Sequence, residues 1–107
     1  MKIVFNNKKL QKSFSSNKEL VKKYGDQNAK KIALRMDTLK SAECLADISS
    51  IPPCRMHALS GDKSGCFAID VKHPYRIIFE PHNCKKEDLE NLKNITEILI
   101  VSIEDYH

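Results

Sequence analysis

Tryptophan is absent from this 107-residue chain, and only three Tyr and four Phe supply aromatic rings. Any core must therefore be mainly aliphatic. No apolar run approaches the ~20 residues that span a bilayer. The charged N-terminal segment also lacks the apolar stretch of a signal peptide. A cytoplasmic location with no membrane partner is the default expectation. Three glycines occur in all, and none builds a Gly-rich nucleotide loop of the Walker or Rossmann kind. The four cysteines, Cys44, Cys54, Cys66 and Cys84, are too far apart for a Cys-x-x-Cys pair, and the histidines fall at irregular intervals. Zinc sites normally show closely paired ligands, so no metal and no cofactor is expected. Free, mostly buried thiols in a reducing compartment are the simpler reading. No internal repeat, low-complexity stretch or linker interrupts the chain, and its length suits one core rather than two. One domain over residues 1–107 is expected.

What is present is unevenly charged. The net charge of +4 divides into 11 Lys/Arg against 3 Asp/Glu in residues 1–40 and 7 against 11 in residues 41–107. A basic half suggests an anionic partner, nucleic acid first. The plain alternative is that lysines on helix surfaces serve solubility.

Hydrophobic period divides the chain in the same way. Lys2–Phe5 reads as a short strand, and Leu10 with Phe14 as one face of a short helix. Ser16 and Glu19 form a capping-box pattern, in which hydroxyl and carboxylate satisfy two orphan amides. Leu20, Val21 and Tyr24 follow, and Gly25 stops or bends the helix. Ala29, Ile32, Ala33, Met36 and Leu39 then repeat at helical spacing, which predicts a helical hairpin with its lysines outside. Ser41 can start a further short turn through Leu45. Pro52-Pro53 forbids helix, and beyond it the period becomes two. Arg55–Leu59, Phe67–Val71, Tyr75–Glu80 and Ile95–Asp105 read as strands. A six-residue turn (60–65), the His73-Pro74 connection and a polar segment (81–94) with one helical turn near 87–92 join them. The last strand is apolar on both faces from 98 to 101 and should lie inside its sheet. The fold class expected is α+β: a strand and helical hairpin packed on a mainly antiparallel sheet of four to five strands.

The sequence closes on Glu104-Asp105-Tyr106-His107, which offers a carboxylate, a phenol and an imidazole as proton carriers. If the final strand stays extended, Leu99, Val101, Ile103, Asp105 and His107 share one face and Ser102, Glu104 and Tyr106 the other. Asp105 and His107 would then be neighbours, and nearby negative charge would favour the imidazolium as an acid. The alternative is a frayed, solvated tail. Arg76 stands in an apolar strand, where a guanidinium needs a purpose. It is either paired with Asp70 or Glu80 or used as an oxyanion or phosphate clamp. His57 is either a satisfied half-buried histidine or a site residue, and Lys63 rides on the glycine-framed turn. His, Lys and Arg from adjacent strands, with terminal proton carriers and no metal cluster, suit RNA cleavage by its own 2′-hydroxyl. That reaction needs a base, cations for the phosphorane and an acid for the leaving 5′-oxygen.

The run Arg55-Met-His57-Ala-Leu59-Ser-Gly61-Asp62-Lys63-Ser-Gly65, then Phe67-Ala-Ile69, Tyr75-Arg76-Ile-Ile-Phe79 and the Asp105-Tyr106-His107 ending resembles HigB-type toxins of the RelE/ParE superfamily. The resemblance implies a RelE-like fold and the toxin of a type II toxin–antitoxin system. It implies a metal-independent endoribonuclease acting on mRNA in the A site of the 70S ribosome, neutralised by a helix-turn-helix (HigA-type) antitoxin. His57, Lys63, Arg76, Asp105, Tyr106 and His107 are the catalytic residues so implied, and Arg55, Lys63, Phe67 and Lys72 the RNA contacts. Cys66-Phe67 departs from the polar residue and Trp common there, and segment 81–94 exceeds the usual hairpin connection. The competing expectation is a RelE-fold module that binds ribosome, RNA or antitoxin without cutting RNA.

Overall fold

A computed structural model describes residues 1–105 and resolves three helices and one five-stranded sheet among them. Strand β1 (Lys2–Phe5) leads into α1 (Lys8–Phe14), α2 (Asn17–Tyr24) and α3 (Asp26–Ser41). Local chemistry sets these boundaries. The Asn7 side chain accepts from the Leu10 amide at 2.8 Å, and the Ser16 hydroxyl accepts from the Glu19 amide at 3.4 Å, capping α1 and α2. Gly25, with φ of 87°, joins α2 to α3 in a conformation that a Cβ would oppose. Ala29, Ile32, Met36 and Leu39 are buried along α3. Ala33 is exposed instead, and Arg35 is buried in its stead, its Nε donating to the Asp70 carbonyl at 2.8 Å. The lysines of α1 to α3 are all exposed, as the amphipathic spacing implies.

The second half supplies β2 (His57–Ala58), β3 (Phe67–Asp70), β4 (Tyr75–Pro81) and β5 (Glu97–Asp105). Sheet order is β1-β5-β4-β3-β2; the later strands form an antiparallel meander, and β1 adds in parallel beside β5. That addition places β5 between two neighbours, with Ile98 and Ile100 buried and Leu99 and Val101 half-buried on it. The turn expected from Ser41 is displaced to a single 3₁₀ turn at Leu45–Asp47, because α3 itself continues to Ser41. Segment 81–94 holds two such turns, Lys86–Glu90 and Leu92–Asn94. Its packing is anchored where the Leu45 amide donates to the Ile95 carbonyl at 2.9 Å.

The helices cover one face of the sheet. Ile69, Ile77, Phe79, Ile98 and Ile100 meet Leu20, Ala29, Ile32, Met36 and Leu39 in a mainly aliphatic core. Of the four free cysteines only Cys54 is buried; the other three are half-exposed, short of the mostly buried set expected. No helix among the described residues is long and apolar enough to cross a membrane.

One irregularity decides which side chains reach which face. Ile78 pairs with Ser102 but Phe79 with Ile100, so Val101 is the extra residue of a β-bulge. The strand does not keep its period of two. Beyond the bulge the parity reverses: Ile98, Ile100 and Ile103 pack toward the helices, whereas Leu99, Ser102 and Glu104 take the opposite face. The expected grouping of Leu99 and Val101 with Ile103 and Asp105 is therefore broken.

Candidate active site

The face opposite the helices carries the polar groups. Register aligns two rows across it: His57, Ala68, Ile78 and Ser102, and beside them Asp70, Arg76 and Glu104. Ala68 and Ile78 are fully buried there. The connection between β2 and β3 contains a 3₁₀ turn, Gly61–Lys63. Gly61 and Gly65 have φ of 67° and 93°, so the two glycines let this short loop double back toward the sheet. Lys63 on that turn reaches across to β5, its Nζ 2.9 Å from Glu104 Oε2.

His57, Lys63 and Arg76 line one open cavity of about 340 Å³. His57 Nδ1 lies 2.9 Å from the Arg55 carbonyl oxygen. A carbonyl only accepts, so Nδ1 carries a proton, and in the neutral tautomer this leaves the lone pair on Nε2. Arg76 is nearly buried and forms a wall shared with a second cavity of about 180 Å³ reached by Arg55 and Asp70. Of the two acids the sequence offers Arg76, Asp70 is its register partner, but the Asp70 carboxylate is bidentate on Arg55 at 2.6 and 3.0 Å. Glu80 pairs instead with Leu99. The acid directly across from Arg76 on β5 is Glu104.

Glu104 Oε2 also accepts from the Ser102 hydroxyl at 2.7 Å. The Lys63 ammonium, then Ser102 and the Arg76 charge, hold the Glu104 carboxyl below the ordinary glutamate value of 4.5, against the opposing effect of partial burial. A carboxyl depressed on folding adds stability above its unfolded pKa, and that stability disappears as pH falls through its folded value. Glu104→Gln should therefore melt below wild type at neutral pH, with the gap closing below pH 4.5. Both partners are partly solvated, with side chains 41% and 33% exposed, so the gap should stay under ~1 kcal/mol. Thermal melts of the two proteins from pH 7 to pH 3 measure it.

The remaining expected residues fall elsewhere. Arg55 lies next to the cleft, already committed to Asp70. Phe67 lies on the helix side, its ring stacked on Phe79 at 6.0 Å. Lys72 is exposed and donates to the Gln27 side chain on α3. Asp105 pairs in register with Tyr75, whose ring packs against Tyr24 of α2, so it does not share the face of Arg76. Tyr106 and His107 lie outside the described residues. Ser102 enters the site with no role expected of it, Glu104 was expected only as part of the closing segment, and Asp70 only as one of two acids for Arg76. The parity of Glu104 and Ser102 was readable from β5, but their proximity to Lys63 depends on a contact 41 residues distant in sequence.

A RelE-like α+β sheet with cations gathered on its open face is the architecture of small toxins of type II toxin–antitoxin systems, and comparison supports that class. The family profile described as RelE-like toxin of type II toxin-antitoxin system HigB matches residues 3–92. The chain belongs to this HigB-like toxin family. In structure it is similar to a chain of the YoeB-YefM complex from Staphylococcus aureus, with a TM-score of 0.58 at 13% identity, covering 100% of this chain and 97% of that one. At such identity the likeness establishes the fold. A search of curated proteins found no significant match.

Proposed function

We propose that this toxin is a metal-independent endoribonuclease that cleaves mRNA in the ribosomal A site. The observation that carries the reading is the convergence of His57, Lys63 and Arg76 on one open cavity of a RelE-like toxin. The ribose 2′-oxygen attacks the adjacent phosphorus while its proton passes to a base. The bond from phosphorus to the 5′-oxygen breaks, and that oxygen takes a proton from an acid. The products carry a 2′,3′-cyclic phosphate and a 5′-hydroxyl. His57 Nε2 has the free lone pair a base requires. Arg76 and Lys63 offer fixed positive charge to the phosphorane. Proton delivery to the 5′-oxygen falls to the Asp105-Tyr106-His107 segment, with His107 the preferred group. Asp105, across from Tyr75, contributes through its neighbours rather than at the phosphate. Arg55 extends the cationic surface available to RNA.

The protein acts in the cytoplasm, on the 70S ribosome, and a helix-turn-helix antitoxin restrains it. The neighbour of the same fold is seen in a YoeB-YefM complex, which supports a bound protein partner for this toxin as well. Induced expression should arrest growth, primer extension on translated messages should find new 5′ ends, and the fragments should end in cyclic phosphate. Arrest with intact messages would instead favour a module that binds without cutting. Comparing naked and translated RNA decides the ribosome requirement.

A further inference from the structure

The charges on the cleft face alternate in sign. Arg55 is bidentate on Asp70, Asp70 is the register neighbour of Arg76, Arg76 is the register neighbour of Glu104, and Lys63 closes the row on Glu104. Lys63 sits on the β2–β3 loop, half-exposed, yet its ammonium meets Glu104 on β5, a strand adjacent to neither of those the loop joins. Holding it there costs side-chain entropy that a partly solvated ion pair barely offsets. A contact of this kind at the mouth of a cavity calls for another reason.

The donors around Glu104 supply one. A single carboxylate oxygen, Oε2, accepts from the Lys63 ammonium at 2.9 Å and from the Ser102 hydroxyl at 2.7 Å. Arg76 is the register partner of Glu104 on the neighbouring strand, and its charge also favours the carboxylate. An ammonium and a hydroxyl on one anionic oxygen, with a cation on the adjacent strand, form the environment a phosphodiester oxygen would seek. Two anions cannot share it without strong repulsion. We propose that Glu104 holds the place of an RNA phosphate in the free toxin, and that RNA must displace its carboxylate from Lys63 in order to bind. This inference rests on the endoribonuclease reading and adds to it a specificity-determining residue. The carboxylate keeps Lys63 over the cleft in the absence of substrate. It also lets a polyphosphate strand, which engages Lys63, Arg76 and Arg55 together, outcompete small single anions.

The test compares the full-length wild type with Glu104→Gln for binding of a single-stranded oligonucleotide at fixed salt. The probe is used in 2′-deoxy and 2′-O-methyl forms, neither of which has an attacking hydroxyl. Glutamine preserves shape and removes the competing charge, so binding should tighten about tenfold. Glu87→Gln makes the same change in net charge on the exposed Lys86–Glu90 turn, and should alter binding by less than about twofold. In a Lys63→Met background most of the Glu104→Gln gain should vanish, because the two residues act as a pair. Unchanged or weaker binding by Glu104→Gln, beside a wild type that binds, overturns the place-holder. An equal gain from Glu87→Gln, or a full gain retained without Lys63, overturns it as well. If neither wild type nor Glu104→Gln binds either probe, the place-holder is overturned for the free toxin, whereas the endoribonuclease reading stands or falls separately on primer extension of translated messages.

Discussion

Arg76→Ala is expected to lower the rate of RNA cleavage by about 10²–10³-fold, the usual effect of deleting one fixed donor to a developing oxyanion. Growth arrest on induction should be relieved in parallel. Arg76 occupies the middle of one row on the open face, between Asp70 and Glu104, and only 9% of it is exposed. Its guanidinium is thus carried by a central strand rather than by a loop, and it borders both cavities. A group so placed needs no reorganisation when charge develops beside it. Arg76→Lys retains the charge but loses the planar fork, so it should fall between alanine and wild type. Single-turnover cleavage of a short RNA measures the rates, and thermal melts of the same samples separate chemistry from folding. Cleavage at the wild-type rate by folded Arg76→Ala would remove Arg76 from the mechanism.

Phe79→Ala should produce the largest loss of stability. Phe79 is fully buried on β4, between Phe67 and Ile100 in register, with its ring stacked on Phe67. In a core without tryptophan and with few aromatics, few neighbouring side chains are large enough to fill the space it would leave. Truncations of this kind cost about 3–5 kcal/mol, against a total of about 5–15 kcal/mol for a typical domain. The melting temperature should fall by roughly 15–30 °C. Activity would be lost together with cooperative folding, unlike Arg76→Ala, whose loss of activity should leave the melt largely in place. A melting point within a few degrees of wild type would mean that this layer of the core repacks around the deletion.

Much of the architecture was legible in the chain. Helical spacing at Ile32, Met36 and Leu39, the cap at Ser16, and the change of period after Pro52-Pro53 placed the helices on one side of the sequence and the meander on the other. These are local signals, each set by neighbours within about four residues. The double-sided apolar run from Ile98 to Val101 also foretold an interior strand. The parallel addition of β1 beside β5 carried no local signal, since it pairs residues more than 90 apart.

The candidate site was legible as residue types and not as a constellation. His57, Lys63 and Arg76 could be chosen from the sequence because a histidine, a loop lysine and an arginine in an apolar strand each invite a chemical question. Which of them meet was decided by the register of β2, β3 and β4 and by the β2–β3 loop folding over the sheet, and the bulge at Val101 decided which β5 residues face them. Strand parity is a running count, and one inserted residue reverses every assignment beyond it. That single residue places Glu104 across from Arg76 and sends Asp105 to the side of Tyr75. Phe67, chosen as a stacking contact for RNA, is on the core side for the same reason of parity, paired with Phe79.

The sequence by itself determined the aliphatic core, the helical hairpin, the succession of helices and strands along the chain and membership of the HigB-like toxin family, because propensity, periodicity and motif are written in neighbouring residues. Only the tertiary structure decided that Lys63 pairs with Glu104, that Glu104 stands across from Arg76, and that His57 lines the same cavity as both cations. Those contacts join positions up to 41 residues apart, and their existence depends on register, a bulge and a folded loop, which are properties of the assembled sheet rather than of any segment.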